Sequence, residues 1–457
     1  MSPVPIRCAA ILALASGAGC STYDAKPLDR ASVDRALGAP AMESVRVEAA
    51  RIRHPLVAPI VIDGRGGFTP DEIGAMVVVV SPKLRALRDQ RGVAEAQVVQ
   101  AGILPNPQLG YSVDEPRGTY NPAVVAAKTL GLTWEVTSLL SHRDQVAAAK
   151  AGARAVDLTI AWQEWQAAQD ARLRAFRILS LERRLPLARS IEDTIADTQA
   201  LTRKAVALGL RTIADLTATS EGWTQAQNAR FAIEQQVGSE RAALNLDLGM
   251  PPADRVPLRY ADPSPAPGEA PGADALLEGL EDRRLDLVAL RQGYESQQDS
   301  LRAAVMAQFP KIGIGLNRMN DTTPIYTRGA GVTVDLPLFD RNQGQVALAK
   351  ATRQQLFDEY MARVAEARSQ VRQALADLAV ARAQLAAVDA SLPELQRLVS
   401  ANEEAQRSRN ADELAVRDAR AALATRQIEQ NLLQQQLLEL GVALEIATGR
   451  PSLYPTP

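Results

Sequence analysis

The sequence predicts a mainly α-helical protein with a small β part, built as an internal duplication of long helical hairpins. The heptapeptide QVAAAKA at 145–151 recurs as QVALAKA at 345–351, which is 200 positions later in the chain. Apolar residues recur at alternating spacings of three and four from Phe357 to Leu395, which is the pattern of a coiled-coil helix. Four short segments, two in each half, instead alternate apolar with polar or small residues, as β-strands do.

The same offset recurs elsewhere in the chain and indicates that the duplication covers most of it. LNLDLGMPP closes the first half and LEIATGRPS closes the second in the same register. A stretch rich in proline and glycine lies between the halves and is predicted to be a linker. The predicted divisions are a first repeat at 69–250, a linker at 251–272, a second repeat at 273–450 and a tail at 451–457.

Each half contains two predicted strands with one apolar face and one polar or small face. The apolar positions are Leu109, Tyr111 and Val113, then Leu130, Leu132, Trp134 and Val136, then Ile312, Ile314 and Leu316, and finally Ala330, Val332, Val334 and Leu336. Each strand has about the length that crosses a membrane when tilted. Four strands cannot close a barrel, and lipid does not tolerate open edges, so membrane strands require several copies in one barrel. Three copies supply twelve strands. Soluble hairpins packed on helices are the alternative.

The helical segments are predicted to be long. Residues 341–400 form a rod of about 90 Å if each residue adds 1.5 Å. Pro186 and Pro393 interrupt the long helix of each half and predict a bend or a break there. The two heptapeptides are each expected to open a long helix directly after the second strand of their half, at residues 145 and 345.

Composition argues against several classes of function. The formal net charge is −2, which gives no electrostatic basis for binding nucleic acid. The only histidines are His54 and His142, which lie far apart and are expected to be surface or turn residues. The sequence contains no nucleophile elbow, phosphate-binding loop or Cys/His metal spacing. We therefore expect no enzyme activity, no cofactor and no metal site.

The N-terminus has the form of an exported leader. Residues 1–19 contain one cation, an apolar run and then small residues, as a secretory signal peptide does. Cys20 follows Ala18-Gly19, which resembles the processing site of a bacterial lipoprotein, so Cys20 is predicted to be lipidated. Residues 20–68 then form a lipid-anchored, extended N-terminal segment. The alternative is a plain signal peptide with an incidental cysteine.

The segments together resemble the TolC-like outer membrane efflux proteins. The resemblance is carried by AGILPNPQLGYSV, FPKIGIGLNRMN and VTVDLPLFDRNQGQVALAKA, and it covers roughly residues 69–450. It implies a homotrimer with a twelve-stranded β-barrel in the bacterial outer membrane and a twelve-helix α-barrel in the periplasm. It also implies two protein partners, a periplasmic adaptor (membrane fusion) protein and an inner-membrane efflux transporter of the resistance-nodulation-division type.

The resemblance assigns roles to the two helix–turn–helix joints. The first joint, ALGLRTIADL at 207–216, matches the loop on which adaptors dock, so Gly209, Leu210 and Thr212 are candidate contacts. The second joint, QRSRNADEL at 406–414, lacks glycine, and Asn410 is its candidate for a left-handed turn and adaptor contact. Ordinary interhelical turns are the alternative at both joints.

Two carboxylates just before the second joint are candidates for a periplasmic gate. Family members carry carboxylates near this place that line the closed aperture, which makes Glu403 and Glu404 the matching residues. Three copies around one axis would bring like charges together, at a cost unless they are hydrated, neutralised or bound to cations. The alternative is a solvated helix face.

Two further classes of protein fit the helical pattern. One is a lipid-anchored periplasmic coiled-coil adaptor without a barrel, and the other is a surface-tethered structural coiled coil without a channel. Both predict an elongated chain that is soluble once Cys20 is replaced by serine. A channel predicts a trimer that still needs detergent.

Overall fold

The computed structural model describes residues 22–36, 38, 40–118, 123–260, 271–323, 325–408 and 413–451. The chain divides into two units after Ala39. In the first unit the structure describes one helix, α1 (Arg30–Ala36). The second unit begins at Pro40 and contains the elements that follow.

The second unit consists of helical segments on either side of two β-hairpins. Its described helices are α2 (Met42–Ala49), α3 (Pro70–Val80), α4 (Pro82–Gly102), α5 (Ser138–Ala207), α6 (Ile213–Asp247), α7 (Ala273–Leu277), α8 (Leu280–Arg283), α9 (Leu285–Met306), α10 (Gln343–Arg407) and α11 (Glu413–Thr448). Its strands are β1 (Gln108–Asp114), β2 (Ala127–Glu135), β3 (Ile312–Asn320) and β4 (Tyr326–Val334). The predicted order of helix, two strands, long helix and return helix is therefore confirmed in both halves.

The four strands form one antiparallel sheet in the order β1-β2-β3-β4. The two hairpins join through β2 and β3, where Leu132 lies opposite Leu316. The sheet therefore draws equally on both repeats, and β1 and β4 form its edges.

The two long helices are continuous and end in helical hairpins. Helix α5 has 70 residues and α10 has 65, which gives lengths of about 100 Å at 1.5 Å per residue. Pro186 and Pro393 lie inside these helices, so a break at either position is wrong. A proline removes one backbone hydrogen bond, and packing along the rest of so long a helix maintains its course.

The coiled-coil seam of α10 is the one that the spacing predicts. Beyond Val346, every buried residue of α10 belongs to the predicted series: Val364, Ala367, Val371, Ala374, Leu378, Ala381, Val388 and Leu392. The first six belong to one core with Leu437 and Leu444 of α11, and Val388 and Leu392 pack with Leu433. Alanine at three of these eight positions lets the two backbones approach closely.

Each repeat has its own apolar core where the return helix meets the shorter helices. Leu244 of α6 packs with Ile73 and Met76 of α3, and the matching Leu444 of α11 packs with Leu280 and Leu287. Each buried leucine contributes about 1.5–3 kcal/mol of transfer free energy. The LNLDLGMPP and LEIATGRPS matches therefore reflect equivalent packing positions, each followed by a left-handed glycine that ends the helix.

The passage from strand to helix differs between the repeats. Helix α5 begins at Ser138, so the expectation that it opens at residue 145 is wrong. Its start follows β2 at once because the Ser138 amide donates a hydrogen bond to Glu135 Oε1 at 2.9 Å. In the second repeat eight residues, 335–342, separate β4 from α10, and Asn342 takes a left-handed conformation with φ of 59°.

Candidate functional site

The two faces of the sheet have different chemistry. On one face the central cross-strand row consists of Leu109, Leu132, Leu316 and Ala330. The other face holds all six strand glycines, interspersed mainly with Ser, Thr and Asn; the glycines are Gly110, Gly131, Gly313, Gly315, Gly329 and Gly331. The leucines of the apolar row are exposed in the single chain. An exposed apolar row of this kind needs a covering of lipid or protein.

The glycine face is crowded around Gly313, Gly315 and Gly329 and open at Gly331. A Cβ atom added at Gly313 would lie 2.5 Å from Thr333 Oγ1, and one at Gly315 would lie 3.1 Å from Thr133 Cγ2. Side chains of neighbouring strands therefore lie close to these two glycines and leave little room for a larger residue there.

Both edges of the sheet are free in the single chain. Strand β1 pairs with β2 alone and β4 pairs with β3 alone, within the part of the chain that the structure describes. Unpaired edge strands present rows of amide and carbonyl groups that can bind a further strand. Among the described residues, no helix carries an apolar stretch long enough to cross a membrane.

The first joint is a tightly bonded turn between α5 and α6. Gly209, with φ of 70°, donates its amide to Val206 O at 3.0 Å, and Leu210 donates to Ala205 O at 2.8 Å. This pair of bonds is the Schellman motif, which satisfies the last carbonyls of α5. Of the predicted contacts, Gly209 thus shapes the turn and Leu210 projects from it, 74% exposed.

Thr212, the third predicted contact at this joint, caps α6. Its Oγ1 accepts the Asp215 amide at 3.2 Å, and its own amide donates to Asp215 Oδ2 at 2.9 Å, which completes a capping box. The bonds from Thr212 hold the pKa of the Asp215 carboxyl below its usual range.

Two apolar side chains that the sequence analysis missed flank this turn. Leu208 is 74% exposed and Ile213 is 76% exposed, comparable with Leu210 between them. The joint therefore presents three large apolar side chains, which we call the tip triad (Leu208, Leu210 and Ile213). The sequence does place these apolar residues in or beside a predicted turn, where there is no core for them to pack against, and this could have indicated a binding surface.

The second joint is described only at its two ends, because Asn410 lies outside the described residues. Glu403 Oε1 accepts hydrogen bonds from Arg420 Nε at 2.9 Å and from Arg420 Nη2 at 2.7 Å. Glu404 pairs with Arg407 at 2.8 Å. Each candidate gate carboxylate thus forms an ion pair with an arginine of its own chain.

An ion pair near this joint links the two helical hairpins. Arg417 of α11 lies 3.0 Å from Asp197 of α5, and it also pairs with Glu413 at 2.6 Å. The Arg417 side chain is mostly covered, whereas Asp197 is 68% exposed, so water screens this contact and its contribution to stability is small.

A buried ionic network lies farther along α5. Arg172 lies 2.8 Å from Glu445 of α11 and 2.6 Å from Asp71 of α3, and Gln169 donates to Glu445 at 3.2 Å. Glu445 is 3% exposed, and its burial raises the pKa of its carboxyl above the usual range. Three elements of the fold therefore meet at one guanidinium.

His54 is buried and joins its own turn to α5 through hydrogen bonds, so the expectation of a surface or turn residue is only half right. It does cap a turn, because its Nδ1 accepts the Leu56 and Val57 amides at 3.0 and 2.9 Å. Its ring is 6% exposed, however, and its Nε2 bonds to Ala161 O of α5 at 2.9 Å. This geometry requires a neutral ring with the proton on Nε2. His142 is partly exposed, and its Nε2 lies 3.2 Å from Gly102 O.

Acidification is predicted to loosen the segment that His54 holds. Burial lowers the pKa of His54, while Glu164 raises it and Arg88 lowers it further. Because the folded pKa lies below the unfolded value, this stabilisation is present above pH ~6.5 and is lost as pH falls through the folded pKa. Hydrogen exchange of residues 51–63, corrected for intrinsic rates, should therefore accelerate at low pH in the native chain.

The two histidines provide a matched pair for this prediction. His54→Ala should abolish the pH dependence of hydrogen exchange in residues 51–63, because the hydrogen bonds of the imidazole ring are then absent at every pH. His142→Ala should leave the native profile unchanged. An unchanged profile in His54→Ala would show that another group controls the segment.

Cys20 and the leader at residues 1–19 lie outside the described residues. Within the described ranges, no cluster of three or more His, Cys, Asp or Glu side chains is arranged to hold a metal ion.

The architecture of the second unit is that of the outer membrane channels. OprN, an outer-membrane channel, is 16% identical with a TM-score of 0.68, over 84% of this chain and 91% of its own. CusC, whose structures concern transmembrane channel formation, is 16% identical with a TM-score of 0.65, over 85% of this chain and 93% of its own. VceC, an outer membrane protein of Vibrio cholerae, is 17% identical with a TM-score of 0.63, over 84% of this chain and 96% of its own. No curated protein matches the chain by sequence.

Residues 276–450, most of the second repeat, match the family described as outer membrane efflux protein. Its members are channels and not enzymes. The predicted TolC-like recognition is confirmed, and so is the fold class of duplicated long helical hairpins with four strands per chain.

Proposed function

We propose that the chain is the outer membrane channel of a tripartite efflux system. It is a passive conduit that receives substrates from an inner-membrane pump through a periplasmic adaptor and releases them outside the cell. The observation that carries the proposal is the four-stranded sheet, with an exposed apolar face, a face of glycine and polar residues, and two free edges. In a soluble coiled-coil adaptor or structural protein, the exposed apolar face and the free edges of such a sheet would favour aggregation.

The channel is a homotrimer in this proposal. The free edges of β1 and β4 must find partners before the sheet can enter lipid, since unpaired backbone groups there cost several kcal/mol each. Pairing β4 of one copy with β1 of the next closes twelve strands after three copies. The apolar row then faces the membrane and the glycine face lines the lumen. The six glycines keep side chains out of the bore at those positions.

The N-terminus anchors this trimer to the outer membrane. Lipidation of Cys20 after removal of residues 1–19 gives each protomer an acyl anchor in addition to its strands. Mass spectrometry of the mature N-terminus should detect the diacylglyceryl group, and Cys20→Ser should lack it.

Recording of ion currents through the purified Cys20→Ser protein in planar lipid bilayers tests the function. We expect a detergent-requiring trimer that inserts and conducts ions without its acyl anchor. A Cys20→Ser protein that is soluble and monomeric without detergent would contradict the channel. The adaptor and structural alternatives predict that result.

Glu403 and Glu404 lie at the periplasmic aperture in this proposal. Their pairing with Arg420 and Arg407 reduces the repulsion between three copies around the axis. The same bilayer recordings compare Glu403→Gln/Glu404→Gln with the native chain. Reduced preference for cations supports the aperture placement, and unchanged selectivity assigns these residues to a solvated helix face.

The tip triad is the adaptor-docking surface in this proposal, with Gly209 and Thr212 as its frame and Asn410 as the candidate contact at the second joint. Leu210→Asp and Ile213→Asp should each weaken binding of the adaptor protein of the same efflux system by about 5- to 30-fold, the loss typical of an apolar interface residue. Binding is measured by surface plasmon resonance on the detergent-solubilised trimer.

Leu246→Asp is the matched control for the tip. Leu246 lies near the opposite end of α6 and is 75% exposed, so the substitution introduces the same charge on the same helix away from the joint. It should leave adaptor affinity within about twofold. Equal losses in all three variants would indicate a general effect of charge on the complex.

A further inference from the structure

The apolar face of the sheet carries three cations at its hairpin end. Arg318 of β3 lies directly opposite Arg328 of β4, and Lys128 of β2 lies one row further toward the hairpin, opposite Asn320. All three side chains are exposed. They share the face of Leu130 and Leu316, because side chains two residues apart along a strand point the same way.

Among the described residues, these cations have no protein counter-ion. In the part of the chain that the structure describes, no carboxylate forms a salt bridge with any of the three, and the Arg318 guanidinium lies 6.0 Å from the centre of the Tyr326 ring. Asp321, the nearest acid along the chain, accepts the amide of Thr322 instead, at 2.6 Å. Like charges directly opposite each other on a sheet are destabilising, so Arg318 and Arg328 need an anion from elsewhere.

The opposite end of the same face contains no such group. Its cross-strand rows consist of Trp134 with Ile314 and Val332, and of Ile312 with Val334. The face is therefore apolar at the helix end and in the middle, and cationic at the hairpin end. Aromatic rings mark both limits, with Trp134 at the helix end and Tyr111 and Tyr326 at the hairpin end.

We propose that Lys128, Arg318 and Arg328 bind the phosphate groups of anionic lipids in the membrane leaflet at the hairpin end of the sheet. This inference rests on the proposed function, in which the apolar face meets lipid. Guanidinium groups match phosphate oxygens in a bidentate manner, and two of them side by side form a site for one phosphate. Acyl chains of the same lipid lie along Leu130, Leu132 and Leu316 below it.

The occupant is a lipid because the site has two chemically distinct parts that are continuous. A free phosphate ion uses the cations but leaves the apolar rows uncovered. A lipid covers both, and only a lipid of the leaflet at the hairpin end brings its phosphate to the height of Arg318. Each cation near a membrane surface adds affinity for anionic lipid, roughly a fivefold factor per residue.

Electron spin resonance of spin-labelled lipids tests the site in the full-length trimer reconstituted into phosphatidylcholine vesicles. Spin-labelled phosphatidic acid should associate with the protein at least about fivefold more strongly than spin-labelled phosphatidylcholine of the same acyl chain. Arg318→Gln/Arg328→Gln should bring that ratio close to one. Lys350→Gln/Arg353→Gln, which removes the same charge from α10, should keep the native ratio.

Other outcomes are equally decisive. A native ratio near one, or an unchanged ratio in Arg318→Gln/Arg328→Gln, overturns the proposal. Loss of the preference in inorganic phosphate but not in sodium chloride of equal ionic strength would identify a site for the free ion. If the glutamine variant does not assemble, Arg318→Lys/Arg328→Lys is measured instead and must retain a preference for phosphatidic acid. Absence of any motionally restricted lipid would contradict the membrane-spanning sheet itself.

Discussion

Leu316→Arg should abolish the accumulation of trimer in the outer membrane. Leu316 occupies the central row of the apolar face, between Leu132 and Ala330, and this face meets lipid in the proposed trimer. An arginine near the bilayer midplane of a β-barrel costs about 2–4 kcal/mol, and a trimer incurs that cost three times. The measurement is the amount of trimer in outer membrane fractions, with total expression as the reference.

The neighbouring residue provides the control, because it lies on the opposite face of the same strand. Asn317→Arg places the same side chain on the glycine face, which lines the lumen in our proposal. It should assemble normally and reduce the cation preference of the single-channel current, since charges that line a pore tune its selectivity. If Asn317→Arg blocks assembly and Leu316→Arg does not, the two faces have been assigned the wrong way round.

Arg172→Met should produce the largest loss of stability among single substitutions outside the sheet. It leaves the buried Glu445 carboxylate with Gln169 as its remaining side-chain donor. Removal of one partner from a buried ion pair typically costs about 3–5 kcal/mol. The loss is measured as a lower apparent Tm of the helical circular dichroism signal at fixed protein and detergent concentrations.

Arg172→Met should also regain stability in acid. Burial raises the folded pKa of Glu445 above its unfolded value, so the stabilisation from its protonated form is present below pH ~4.5 and is lost as pH rises through the folded pKa. Arg172 lowers the pKa of Glu445, so removal of Arg172 extends the pH range in which protonation of Glu445 stabilises the fold to higher pH. The difference in Tm between variant and native chain should therefore shrink as pH falls.

Two further variants separate the buried charge from other effects. Arg172→Met/Glu445→Leu should recover most of the lost stability, because apolar groups that replace both partners leave no uncompensated charge. Arg174→Met removes an arginine two residues away whose partners Glu240 and Asp247 are partly exposed, and it should cost less than about 1 kcal/mol. Equal losses in Arg172→Met and Arg174→Met would refute the network.

The parts of the fold that the sequence predicts are those whose signal is periodic. The 3-4 spacing along α10 places the seam because each buried position repeats the same geometry, and the period of two in β1 to β4 places both faces of the sheet. The matching of Leu244 with Leu444 succeeds for a similar reason, since each repeat needs the same residue in its core.

The parts that were missed depend on contacts distant in sequence or on single residues. The burial of His54 is set by a chain path that brings it to Ala161, 107 positions away, and nothing in RHPL indicates this. The start of α5 at Ser138 depends on one hydrogen bond that the Ser138 amide donates to the Glu135 carboxylate. Leu208 and Ile213 are ordinary helix-flanking residues until the turn between them is known to be exposed.

The turn at Gly209 has a consequence for the kinetics of any complex formed there. Its backbone groups and its Thr212 and Asp215 side chains are already satisfied by one another, so the tip triad is displayed on an ordered frame before a partner arrives. Association then requires little loss of loop entropy and no folding step. Differences in affinity among variants of the triad should therefore appear mainly in the lifetime of the complex, while the rate of encounter stays nearly constant.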